Sequence, residues 1–136
     1  MVDGSVLVVE KSYLSLSTLV LALENNGIGP IRYATTPEAV SDRLREMSPS
    51  HVLVDHSMGA DICSSVKESS PNAKIIYFPA SEDPEDAEYA DSLAADGEST
   101  IDRICVKGTT QFDNIVGDIV ADLEGQRVAA RRLRQH

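Results

Sequence analysis

The stretch Ser50-His51-Val52-Leu53-Val54-Asp55-His56 constrains this chain more than any other. Its aliphatic residues follow one another with no polar alternation. That is the pattern of a strand covered on both faces in a parallel sheet. The run stops on a carboxylate. In open α/β sheets, sites form at the carboxyl ends of the strands, so Asp55 is the candidate centre of a shallow pocket.

The rest of the chain supplies neighbours for that strand. Residues Ser5 to Val9 read as a first buried strand ending on Glu10-Lys11. Tyr13 to Asn26 reads as a helix, with Leu16, Leu19, Val20 and Leu23 on one face. Asn26-Gly27 ends it. Ile31 to Ala34 is a short second strand. Thr36-Pro37-Glu38 is a helix start, with a hydroxyl cap, a proline at the first helical position and an acid in the first turn. Ala39, Val40, Leu44 and Met47 supply the inward face of that helix. A third helix runs from about Ile62 to Glu68. Lys74 to Phe78 is a fourth strand stopped by Pro79, and Asp83-Pro84-Glu85 opens a fourth helix. A fifth strand, Ile101 to Val106, is interrupted by Asp102 and Arg103. Thr110 opens a last helix striped with Phe112, Ile115, Val116, Ile119, Val120 and Leu123.

Five strands alternating with five helices predict a three-layer α/β fold of the flavodoxin-like (βα)5 type. Its parallel sheet has strand order 2-1-3-4-5 and right-handed crossovers. Residues 1–125 form this domain, and residues 126–136 are a basic helical tail or a linker to an output domain. The chain of 136 residues holds one core rather than two.

Charge narrows the function. Against 12 basic residues stand 22 acidic ones, a net charge of -10, so the body of the domain does not grip nucleic acid. Glu82, Asp83, Glu85, Asp86, Glu88 and Asp91 make an acidic block, and Arg127, Arg131, Arg132 and Arg134 gather in the tail. No apolar run reaches the length of a bilayer span, and the N-terminus lacks the basic start of a signal peptide. With no secretory signal, Cys63 and Cys105 read as reduced thiols facing a core in a cytoplasmic protein. The hydroxyls Ser12, Ser15, Ser17 and Thr18 after the first strand leave a distant alternative open, a flavodoxin-like domain binding a phosphorylated small ligand there. The plainer reading is that Ser12 caps the helix and the others line its exposed face.

Three strands end on charged groups: Glu10-Lys11, Asp55 and Lys107. In the predicted strand order these converge on one sheet edge. The strand order, Asp55, and the run Ile104-Cys105-Val106-Lys107-Gly108-Thr109-Thr110 together resemble the receiver domain of a bacterial response regulator. The likeness is greatest to receivers coupled to LuxR-type helix-turn-helix DNA-binding domains, and it covers residues 5–125. It implies a signalling module rather than an enzyme. Asp55 would hold the phosphoacceptor position and Lys107 the position of the lysine that contacts the phosphoryl group. The partners it implies are a histidine kinase, an output domain and a second copy of the chain, with the fourth and fifth helices as the pairing surface.

The departures from that pattern are as informative. Receivers carry two acids after the first strand, and here the second is Lys11. They carry a Ser or Thr hydroxyl after the fourth strand, and here Pro79 stands instead, with no donor. The switch aromatic is replaced by Ile104. The segment His56-Ser57-Met58-Gly59-Ala60 is short and lacks the usual Met-Pro. Mg²⁺ needs two or three acids in an octahedron, and a cation beside them opposes it by several kcal/mol at an intermediate dielectric. The expectation is therefore a degenerate pocket with no cofactor, in which Lys11 pairs with Asp55 or Glu10 and stands in for the metal's charge. If Mg²⁺ binds after all, Glu10 and Asp55 would hold it, and Asp55 would act as a working phosphoacceptor.

Overall fold

A computed structural model describes residues 6–59, 61–78, 101–104, 114 and 116–125. Four strands pair in parallel: β1 (Val6–Val9), β2 (Ile31–Ala34), β3 (His51–Asp55) and β4 (Lys74–Phe78). Their order is β2-β1-β3-β4, and a two-residue strand, β5 (Arg103–Ile104), adds to the outer edge of β4. Register is continuous across the middle: Val6 lies opposite His51, Val9 opposite Val54, and Asp55 opposite Phe78. Of the predicted fifth strand, Ile101 to Val106, residues 101–104 are described, and Arg103–Ile104 form the strand. The predicted fourth helix, Phe112 and Cys105 lie outside the described residues.

The interruption at Asp102 has a structural use. Asp102 Oδ2 accepts the Ile75 N–H at 2.7 Å and the Lys67 ammonium at 3.1 Å, while its own N–H donates to Ile75 O. A side-chain carboxylate thus replaces a ladder carbonyl at the edge of β4 and satisfies a backbone donor that would otherwise go unpaired.

The helices are α1 (Tyr13–Asn25), α2 (Pro37–Glu46), α3 (Ile62–Ser69) and α4 (residues 116–125). Strand side chains alternate between two cores. Val6, Val8, Leu53, Ile76 and Phe78 pack against Leu16, Leu19 and Leu23 of α1 and Val116, Ile119 and Leu123 of α4. Leu7, Val9, Val52, Val54, Ile75 and Tyr77 pack on the other face with Val40 of α2 and Cys63 and Val66 of α3. Both faces are covered, which is why β1 and β3 read as unbroken apolar runs. Cys63 faces this second core, and burial pushes its thiol up to about 12.

The helix starts differ. Thr36 Oγ1 accepts the Ala39 N–H and Pro37 opens α2, as the sequence implies. Ser12 occupies the corresponding place before α1, but its side chain caps nothing, a correction to the expected cap. Its N–H donates to Glu10 Oε1 at 3.1 Å. Gly27, at φ 76°, supplies the left-handed residue that ends α1.

Ile119, on the apolar stripe of the last helix, is buried in the core against the sheet and offers no exposed strip for pairing. The exposed large apolar side chains among the described residues lie on α1 and β2: Tyr13, Leu14, Leu21 and Tyr33. The Tyr13 and Tyr33 rings meet edge to face with centroids 6.4 Å apart.

Candidate functional site at the carboxyl edge of the sheet

Val9 and Val54 are the last residues that β1 and β3 pair with each other, so Glu10 and Asp55 come next on adjoining strands. Both follow the alternation of Val6, Val8 and Leu53, which places them on the α1 side. Both are buried, Glu10 at 1% and Asp55 at 3% exposure. Two carboxylates seldom share a buried strand end without donors to hold them.

The donors come from the two loops. Glu10 Oε1 accepts the Ser12 N–H at 3.1 Å and the Ser57 hydroxyl at 3.1 Å. Asp55 Oδ2 accepts the Ser57 N–H at 3.0 Å and so caps a short 3₁₀ turn, His56–Met58. Asp55 is therefore a capping acid at the end of β3. Ser57 Oγ also accepts the Lys11 N–H at 3.2 Å. The His56 ring is partly exposed, with Nδ1 3.4 Å from Asp55 Oδ1.

Lys11 is where the structure departs from the sequence reading. Its side chain is exposed, and among the described residues its ammonium makes no ion pair with Asp55 or Glu10. The physical reason is local: the chain bends at Lys11, and the residue is held by its backbone N–H rather than by its charge. The expected substitution of the lysine for a metal's charge is therefore not what satisfies Glu10. Among the described residues, Glu10 Oε1 takes neutral donors, the Ser12 N–H and the Ser57 hydroxyl. Lys107 and Pro79 lie outside the described residues.

Ser57 is a site residue that charge alone does not mark. A signal was available. A serine two residues after a strand-end aspartate is the spacing of an Asx turn, in which the carboxylate takes the N–H two residues on. The hydroxyls of Ser17 and Thr18 are engaged elsewhere, donating to the carbonyls of Tyr13 and Leu14 within α1. They do not form a free cradle for a phosphate.

A divalent ion such as Mg²⁺ at this edge would be held by one or two carboxylates, with water or other oxygens completing its octahedron. Among the described residues, no group of three or more His, Cys, Asp and Glu could hold a metal ion. Glu10 and Asp55 are two carboxylates, and one oxygen of Glu10 already receives two donors. Glu10 and Asp55 are the described residues that would hold such an ion.

No protein-family profile and no curated protein matches the chain. Solved structures do. A chain described as adenylate cyclase from Rhodopirellula baltica superposes with a TM-score of 0.70 at 15% identity, covering 99% of this chain and 100% of that one. The signal receiver domain of a signal transduction histidine kinase from Syntrophus aciditrophicus gives 0.68 at 20% identity, covering 88% and 91%. A response regulator receiver domain protein from Clostridium thermocellum gives 0.68 at 19%, covering 92% and 98%. The chain thus has the flavodoxin-like α/β fold seen in receiver domains. Among the described residues, no helix is long and apolar enough to cross a membrane.

Proposed function

We propose that this chain is a receiver-like signalling domain whose phosphorylation pocket is degenerate, and that it acts through protein contacts rather than catalysis. One observation carries the reading. In a fold shared with receivers, the two buried strand-end acids, Glu10 and Asp55, are both held by donors of the same residue, Ser57. Held in this way, the two acids have donors of the chain's own in place before any ion binds. Lys11 in place of a second acid, and Pro79 in place of a hydroxyl, point the same way.

In this reading the chain works in the cytoplasm and binds a second copy of itself, a histidine kinase or an output domain such as a helix-turn-helix DNA-binding domain. The exposed residues Tyr13, Leu14 and Leu21 of α1 support a protein-binding role. The adenylate cyclase named among the similar structures says nothing of catalysis here, since the likeness is one of fold.

The test is incubation with acetyl phosphate and Mg²⁺ followed by intact-mass measurement. The expected result is an unmodified chain. A phosphoryl adduct that disappears in Asp55→Asn would instead establish the second reading, a working phosphoacceptor at Asp55.

A further inference from the structure

Ser57 makes three hydrogen bonds with three groups that belong to two different strand ends. Its N–H donates to Asp55 Oδ2 at the end of β3. Its hydroxyl donates to Glu10 Oε1, just past β1, and its oxygen accepts the Lys11 N–H. A serine hydroxyl has one proton to donate and lone pairs to accept with, so both roles are filled at once. The bond to Glu10 spans 47 positions of chain, which makes it a tertiary tie rather than a turn closure.

Glu10 is the acid whose freedom decides what this corner can bind. The same oxygen of Glu10 takes the Ser12 N–H and the Ser57 hydroxyl. A cation seeking that oxygen must displace two donors, each a charge-assisted hydrogen bond. We propose that Ser57 is a positioning residue, a hydroxyl clasp that ties the β1–α1 corner to the end of β3 and fixes Glu10 without a divalent ion. The proposal deepens the receiver-like reading and rests on it for its regulatory meaning. The corner is locked by the chain's own side chain, where a metal-dependent pocket would be set by its ion.

The test is amide hydrogen exchange followed by NMR on the full chain, as wild type, Ser57→Ala and Ser57→Thr. Ser57 is exposed, so neither substitution disturbs a core, and a thermal melt confirms that each variant is folded. The Lys11 amide should exchange about five- to tenfold faster in Ser57→Ala, the worth of one hydrogen bond. Ser57→Thr should restore the protection, because it keeps the hydroxyl. In the wild type, Mg²⁺ at low millimolar concentration should leave the Lys11, Ser12 and Ser57 resonances in place. Unchanged Lys11 exchange in Ser57→Ala, or a saturable Mg²⁺ shift of these resonances in the wild type, would overturn the clasp. Neither readout involves phosphoryl transfer. A clasp that fails leaves the acetyl phosphate result standing, and a phosphorylated Asp55 leaves the Lys11 exchange result standing.

Discussion

His51 Nε2 lies 3.0 Å from Asp122 Oδ2, a contact that joins the first residue of β3 to α4 across 71 positions of chain. It sits at the amino edge of the sheet, opposite the Glu10–Asp55 corner. Ser50 Oγ is 2.8 Å from His51 Nδ1, and the Lys74 ammonium reaches the same Asp122 oxygen at 2.8 Å. A carboxylate only accepts, so the neutral ring carries its proton on Nε2 and takes the Ser50 hydroxyl at Nδ1.

The pH dependence of stability follows from this arrangement. Burial is the main influence on His51 and lowers its pKa below the ordinary 6.5; the hydrogen bond and charge of Asp122 offset part of that, and Lys74 adds to it. A folded-state pKa below the unfolded one means that the unfolded chain binds the proton more readily. The stability held by neutral His51 is therefore complete above about pH 6.5 and declines as pH falls below it. The urea midpoint should drop from about pH 7.5 to about pH 5 in the wild type and change less in His51→Gln, whose amide donates without titrating. An identical drop in both proteins would assign the effect to other groups.

Asp122 and Lys74 should differ sharply when truncated, although they share one ion pair. Asp122 → Ala leaves the Nε2–H of a ring only 2% exposed without its acceptor, which costs about 1–3 kcal/mol. Lys74→Ala removes an exposed ammonium and should cost about 0–1 kcal/mol. The pairing with Lys74 chiefly lowers the Asp122 pKa, aided by His51. Its stabilisation is present above the carboxylate's unfolded pKa and is lost as pH falls through the folded one. Urea unfolding of the two variants at neutral pH checks the order. Equal losses would mean that the buried ring has another acceptor in reach.

Two helix starts that look alike in sequence should respond differently to the same substitution. Thr36 Oγ1 accepts the Ala39 N–H, so Thr36→Ala should destabilise by about 0.5–2 kcal/mol. Ser12 makes no side-chain cap bond, so Ser12→Ala should stay within about 0.5 kcal/mol of wild type. Thermal melts of the two single variants are sufficient. A larger loss at Ser12 would show that its hydroxyl does serve α1 in solution.

That contrast marks how far the sequence could be read. The strand at Val52 to Val54 and the face of α1 at Leu16, Leu19 and Leu23 were legible because period and burial go together. The position of Asp55 followed, since a run of buried aliphatics can end only at a sheet edge. Side-chain partners did not follow. Which donor Glu10 takes depends on how tightly two loops close, and nothing in the spacing of Glu10 and Ser57 encodes that distance. At Lys11 the bend of the backbone, and not charge complementarity, decides where the side chain goes. A stripe on a helix does not say whether it faces a partner or the domain's own sheet, and at Ile119 it faces the sheet.

The same corner offers a gain-of-function test. Glu10 and Asp55 are two buried acids with the Lys11 ammonium one residue away on an exposed bend. Mg²⁺ draws its affinity from the number of anionic oxygens it can gather. Lys11→Asp replaces a like charge with a third carboxylate, and solvent screening at an exposed position limits the gain to about tenfold. Combining it with Ser57→Ala frees one Glu10 oxygen of its hydroxyl donor and should increase the gain further. Isothermal titration should show no Mg²⁺ binding by the wild type at low millimolar concentration, measurable binding by Lys11→Asp, and tighter binding by the double variant. If Lys11→Asp gains nothing while the double variant binds, the donors on Glu10 exclude the ion and the lysine does not. If the wild type already binds, neither residue does.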